Sequence, residues 1–125
     1  MFTYGSSYLK NRYGIPWPYQ CRSDYRHHDD SDLTDEWQLE VYLHALELME
    51  RHQLRQILDI GCGSGYKLVH HLGDYETTGL ELAQNLPQLE QRYPDRYWEA
   101  CDLSIPQPRT ADLVICADVI EHLVD

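Results

Sequence analysis

The stretch Leu58-Asp59-Ile60-Gly61-Cys62-Gly63-Ser64-Gly65 decides the fold. An acid sits at the end of an apolar segment, three glycines alternate through a turn, and a helix-like pattern follows. Glycine takes positive φ at little cost and lets a ligand lie close to the backbone. The preceding residues, Gln56-Ile57-Leu58-Asp59-Ile60, are short, apolar and closed by glycine. That pattern predicts a strand buried in a parallel sheet. Tyr66, Val69 and Leu72 recur at helical spacing after the turn. A strand, a glycine turn and a helix in this order form the unit that holds nucleotide-like cofactors at a helix N-terminus.

Glycine spacing separates two versions of that unit. A dinucleotide fingerprint reads G-x-G-x-x-G, whereas these glycines fall as G-x-G-x-G, with Tyr66 where the third dinucleotide glycine would stand. This weighs against a nicotinamide-dependent dehydrogenase. Three later segments follow in order. Thr77-Thr78-Gly79-Leu80-Glu81-Leu82 reads as a second strand ending in an acid, and Glu81 stands 20 positions beyond Gly61. An acid at about 20 residues' distance accepts ribose hydroxyls in cofactor-binding βαβ units. Tyr97-Trp98-Glu99-Ala100-Cys101-Asp102-Leu103 reads as a third strand closed by an acid, and Ala111-Asp112-Leu113-Val114-Ile115-Cys116-Ala117 as a fourth.

Taken together these segments resemble the class I S-adenosylmethionine-dependent methyltransferases over roughly residues 56 to 125. The glycine run resembles motif I, (D/E)-x-G-x-G-x-G, and Ala111 to Leu123 resembles motif IV with its Glu121-His122 pair. The resemblance implies S-adenosylmethionine as cofactor, held by Asp59, Gly61, Cys62, Gly63 and Gly65 at the turn and by Glu81 and Leu82 after the second strand. Asp59 is expected at the cofactor's amino group and Glu81 at the ribose. Asp102 and Leu103 are expected at adenine, and Ala117 beside the transferable methyl. Asp118 and His122 are the candidate catalytic residues, His122 as a general base. In some relatives an E-x-x-E-H segment at this place binds a divalent cation; Asp118, Glu121 and His122 share one helical face at i, i+3 and i+4. The same pair packs around the cofactor in metal-free relatives, and no metal is assigned.

The expected fold is α/β: a Rossmann-like parallel sheet of order 3-2-1-4 with flanking helices, built with right-handed crossovers. The cofactor would lie at the carboxyl ends of the strands. The expected strands span about 56–60, 77–82, 96–100 and 112–117, and the helices about 65–72 and 83–92, with a further helix from near Val119. A long amphipathic helix is expected over Ser31 to His52. Its stripe is Leu39, Tyr42, Leu43, Leu46 and Met49, widened by Trp37, Val41, Ala45 and Leu48, and Ser31 or Thr34 is expected to cap its start. His44 and His52 should face solvent. Residues 1–30 form an irregular arm rich in aromatics, among them Tyr4, Tyr8, Tyr13 and Trp17, which would cover the cofactor or cap the core. Residues 31–125 form the cofactor domain. The family sheet has seven strands, so a chain ending at Asp125 within the helix after strand 4 reads as truncated. The apolar segment Leu113 to Ala117 would then be an edge open to self-association.

Composition bounds the partners. The 125 residues carry a formal net charge of −11 and are 42% hydrophobic, enough for one domain with a core. The negative charge and the scattered Lys and Arg argue against nucleic acid, which requires a clustered basic surface. The absence of an 18-residue apolar run or a signal peptide predicts a cytoplasmic protein without a membrane span. Cys21, Cys62, Cys101 and Cys116 show neither metal-ligand spacing nor a disulfide framework; the last three lie in or beside strands, where cysteine acts as a small hydrophobe. His27-His28-Asp29-Asp30 reads as a solvated loop. The expected activity is methyl transfer to a small-molecule or metabolite acceptor. The competing class is a non-catalytic, cofactor-binding or interaction module.

Overall fold

The central strand forms where the apolar run predicts it. The computed structural model describes Gln20–Cys21, residues 38–101 and 110–117, and Leu123–Val124. In chain order the strands are β1 (Gln20–Cys21), β2 (Gln56–Ile60), β3 (Glu76–Glu81), β4 (Tyr97–Ala100), β5 (Leu113–Cys116) and β6 (Leu123–Val124). The helices are α1 (Leu39–His52), α2 (Tyr66–Leu72) and α3 (Leu86–Arg92), the last preceded by a 3₁₀ turn at Ala83–Asn85.

Four parallel strands make the sheet, in the order β4-β3-β2-β5. This is the expected 3-2-1-4 arrangement. β2 pairs with β3 from Gln56↔Glu76 to Ile60↔Leu80, and with β5 from Ile57↔Leu113 to Ile60↔Cys116. Asp112 fixes the entry of β5, since its Oδ2 accepts the backbone N–H groups of Arg55 (2.8 Å) and Gln56 (3.0 Å). Those bonds hold its carboxyl below the usual aspartate range.

The side-chain period of two divides the sheet into faces. Ile57 and Ile115 face a cluster with Tyr42, Ala45 and Met49 of α1, Leu68 and Leu72 of α2, Leu89 of α3, Cys62 and Trp98. Leu58 and Leu80 join Cys101 in a second cluster, with Ile60 and Ala111 against it. All three described helices therefore serve the first face, which is the face that carries Asp59.

Several local expectations are corrected. α1 begins at Leu39, after Gln38, whose φ of 58° is left-handed; the upstream part of the expected helix, with its proposed caps Ser31 and Thr34, lies outside the described residues. Leu43 and Val41 are 45% and 42% exposed. The buried stripe is narrower than its apolar content: Tyr42, Ala45 and Met49 are buried, and Leu46 packs partly buried against the same cluster. The expected helix at 83–92 is divided: Pro87 has no N–H to donate and fits only the first turn of an α-helix. Cys116 is exposed. So is Val114, 52% accessible at the sheet edge, and β5 buries Ile115 but not its opposite face. Leu123–Val124 is extended, not helical, because it pairs antiparallel with Gln20–Cys21. The rest of the expected N-terminal arm, with Tyr4, Tyr8, Tyr13 and Trp17, lies outside the described residues. His44 and His52 are exposed, as expected.

Gly79 shows how tightly the first face is filled. A Cβ there would lie 2.4 Å from Trp98 Cζ3, 2.5 Å from Trp98 Cε3 and 2.8 Å from Cys62 Sγ. The indole is pinned in turn, since its Nε1–H donates to the Tyr93 carbonyl at 2.9 Å. Gly79→Ala is expected to cost about 3 kcal/mol, the upper range for overpacking a filled core. Urea denaturation measures it, and adding Trp98→Leu should recover part of the loss by opening space for the methyl.

Candidate functional site

The glycine turn is left-handed at every glycine: φ is 72° at Gly61, 59° at Gly63 and 74° at Gly65. A β-branched or bulky residue would be strained at each of these positions. Leu80 holds the start of the turn, its carbonyl accepting the N–H of Gly61 (2.8 Å) and of Cys62 (3.1 Å). Gly65 N–H returns to the Cys62 carbonyl at 3.0 Å, and α2 begins at the next residue. Gly65 has a packing reason of its own. A Cβ there would meet Trp98 Cη2 at 2.8 Å and Leu89 Cδ2 at 2.9 Å, so the third glycine brings α2 close to the sheet.

Glu81 joins the end of β3 to this turn. It is buried, at 6% exposure. Its Oε2 accepts Gly63 N–H at 3.1 Å; its Oε1 accepts Leu82 N–H and Asn85 Nδ2–H, each at 3.0 Å. A carboxylate offers about four acceptor directions, so these three donors fix its orientation and leave room for one more. Leu82 takes part through its backbone, and its side chain is only half-buried.

Asp59 lies beneath the turn, in the centre of the sheet, with 0% exposure. Tyr42 of α1 donates its O–H to Asp59 Oδ2 at 2.9 Å. Asp59 Oδ1 has no hydrogen-bond partner among the described residues. Burial pushes this carboxyl up from 3.8 to about 7; the Tyr42 hydrogen bond opposes the rise, Glu81 adds to it and Lys67 lowers it. A buried acceptor without a donor costs free energy, typically about 1–3 kcal/mol and more for a charged group. Cys62 is held neutral, its thiol raised well above the ordinary range by burial and then by the charges of Asp59 and Glu81. It fits the turn as a small apolar group and not as a nucleophile.

The structure thus gathers Asp59, Gly61, Cys62, Gly63, Gly65, Glu81 and Leu82 around one turn. Ala117 follows β5, half-buried against the first-face core. Asp102, Leu103, Asp118 and His122 lie outside the described residues, as does Glu121. Among the described residues no three His, Cys, Asp or Glu side chains are grouped to hold a metal ion. None of the described helices is long and apolar enough to cross a membrane.

Sequence reading missed Tyr42, Lys67 and Asn85 as parts of the site. Tyr42 was legible only as one more apolar member of the α1 stripe, although a hydroxyl in such a stripe calls for a buried partner. Asn85 stands four residues past Glu81, within reach on a turn. Lys67 is 8% exposed, and nothing in its spacing distinguishes it from a surface lysine.

The raised Asp59 carboxyl links folding to pH. Between its ordinary 3.8 and about 7 the native state holds a proton that the unfolded chain has released. Stability therefore falls as pH rises through that window, and the loss is complete above it. At about 1.4 kcal/mol per pH unit the loss is roughly 4 kcal/mol. Asp59→Asn should remove this slope and be the more stable protein at pH 8, by urea denaturation at pH 4.5 and pH 8.

Comparison with known proteins agrees with the fold and the turn. Residues 58–125 match the family model described as Methyltransferase domain. Among solved structures, the chain is similar to CalS10, an amino pentose methyltransferase from Micromonospora echinaspora solved with S-adenosylmethionine bound. The identity is 21% and the TM-score 0.55, over 76% of this chain and 44% of that one. It is similar to the sugar N-methyltransferase KedS8 from Streptoalloteichus sp ATCC 53650 at 20% identity and TM-score 0.56, over 76% and 42% of the two chains. DesVI from Streptomyces venezuelae matches at 23% identity and TM-score 0.54, over 73% and 44%. The chain thus spans less than half the length of each of these three proteins. No curated protein matches it. The family match covers more than half of the residues and includes the glycine turn, and the chain belongs to the S-adenosylmethionine-dependent class I methyltransferases.

Proposed function

We propose that this chain binds S-adenosylmethionine at the carboxyl ends of β2 and β3, and that the protein transfers its methyl group to a small-molecule or metabolite acceptor. The observation that carries the reading is the unpartnered Oδ1 of Asp59, buried under a glycine turn with Glu81 beside it. A buried carboxylate oxygen without a donor is matched by a cationic group, and the family's cofactor has an ammonium. The donor set fits that cofactor: one acid for the ammonium, one oriented acid with an acceptor direction left for a ribose hydroxyl, and backbone free of side chains between them.

S-adenosylmethionine supplies a methyl already activated on a sulfonium, so the protein's task is orientation, exclusion of water and removal of a proton from the acceptor. Asp59 orients the ammonium, directly or through water. Glu81 receives the ribose, its geometry fixed by Gly63, Leu82 and Asn85. Gly61, Cys62, Gly63 and Gly65 present main chain to the ligand. Asp102 and Leu103 take adenine, Ala117 flanks the methyl, and Asp118 or His122 serves as base. These last assignments rest on the family resemblance. The small-molecule acceptor is supported by the net charge of −11, which disfavours a polyanion. It also agrees with the amino pentose and sugar N-methyltransferases of similar fold.

Calorimetric titration tests the binding half directly. The chain should bind both S-adenosylmethionine and S-adenosylhomocysteine, and Glu81→Ala should weaken binding by about 1–3 kcal/mol. No binding of either at millimolar concentration contradicts the assignment. For the acceptor, a metabolite panel led by amino sugars should yield methylated product with the protein. Steeply salt-dependent RNA or DNA binding is the contrary result.

A further inference from the structure

The two oxygens of Asp59 are in unequal positions. Oδ2 is engaged by the Tyr42 hydroxyl at 2.9 Å, while Oδ1 has no partner among the described residues. Both lie in a residue with no exposed surface. Tyr42 belongs to α1, outside the glycine turn and outside the strand–turn–helix unit, and it is itself buried at 6% exposure. Its ring is fixed in the first-face core with Ala45 and Met49. A phenol hydroxyl is a donor throughout the neutral range, since its ordinary pKa is about 10.

We propose that Tyr42 is a positioning residue for cofactor recognition: by clamping Oδ2 it turns Oδ1 of Asp59, still unbonded, toward the ammonium of the ligand. This rests on the reading that the chain binds S-adenosylmethionine. It extends the site to α1, which the family match at residues 58–125 does not include. The hydrogen bond does two things at once. It fixes the carboxyl's rotation about χ2, and it favours the charged form against the burial that disfavours it. The other titratable groups acting on or near this carboxyl are Glu81 from β3, which opposes its charge, Lys67 from α2, which supports it, and the thiols of Cys62 and Cys116. Ionised Asp59 is the form that pairs with an ammonium, so affinity should rise with pH through the neutral range. Removing the Tyr42 donor should move that rise to higher pH.

The test uses two ligands that differ in one group: S-adenosylhomocysteine, and the analogue in which its α-amino group is replaced by hydrogen. Wild-type protein and Tyr42→Phe are titrated with both by calorimetry between pH 6 and 8.5. Wild type should prefer the amino ligand. Tyr42→Phe should lose about tenfold for that ligand, the scale of one hydrogen bond to a charged group. It should change little for the deaminated one, and its binding midpoint should lie at higher pH. Equal losses for both ligands would mean that Tyr42 only supports the fold, and unchanged affinities would mean that it plays no part; either overturns the proposal. A wild type that binds neither ligand overturns the cofactor reading, and this proposal with it. Should Tyr42→Phe fail to fold, 3-fluorotyrosine at position 42 keeps the ring and the hydroxyl and donates a stronger hydrogen bond. It should move the midpoint for the amino ligand to lower pH, and an unmoved midpoint overturns the proposal.

Discussion

A carboxylate in the middle of a parallel sheet is the constraint around which the rest is arranged. Asp59 occupies a core position of the central strand, between Gly79 on β3 and Ile115 on β5. An apolar residue there would stabilise the sheet. The acid instead raises its own pKa to about 7 and leaves one oxygen without a donor. Departures from local consistency of this kind concentrate at functional sites. The neighbours bear the mark of it: Tyr42 is turned inward from α1, and Cys62 stays neutral under two nearby acids.

The glycines are required for two different reasons. Gly61 and Gly63 carry positive φ through the turn, which keeps main-chain N–H groups at the strand ends and lets Gly63 orient Glu81. Gly65 and Gly79 make room for Trp98. The indole wedges between α2 and β3, and its size leaves no room for a methyl at either position unless a neighbour shifts. Turn geometry and core packing are thus coupled, because the loop that would approach a ligand is supported from below by one tryptophan.

Much of the sheet was legible because parallel strands advertise themselves as short apolar runs closed by glycine or acid. The order of the four strands follows from chain order and crossover handedness. The acids Asp59 and Glu81 were legible from their place at strand ends. Tyr42 was not, since a tyrosine at helical spacing reads as core, and only its 2.9 Å approach to Asp59 separates the two meanings. Helical spacing of apolar residues continues upstream of Gln38, so it gives no sign of the left-handed backbone at Gln38 itself, after which α1 begins. Nor does apolar content show that Val114 and Cys116 lie on the open side of β5; exposure depends on what packs against a strand, which sequence period does not encode.

The central claim is that Asp59 is kept buried and half-satisfied for a cationic group. Proton exchange on binding tests it most directly. Titrating S-adenosylhomocysteine into the protein near pH 6.5, in buffers of different ionisation enthalpy, gives the number of protons released per ligand bound. Charging a largely protonated Asp59 on binding predicts net proton release that fades above pH 8 and disappears in Asp59→Asn. Binding without proton release at pH 6.5, or release that persists in Asp59→Asn, would contradict the account.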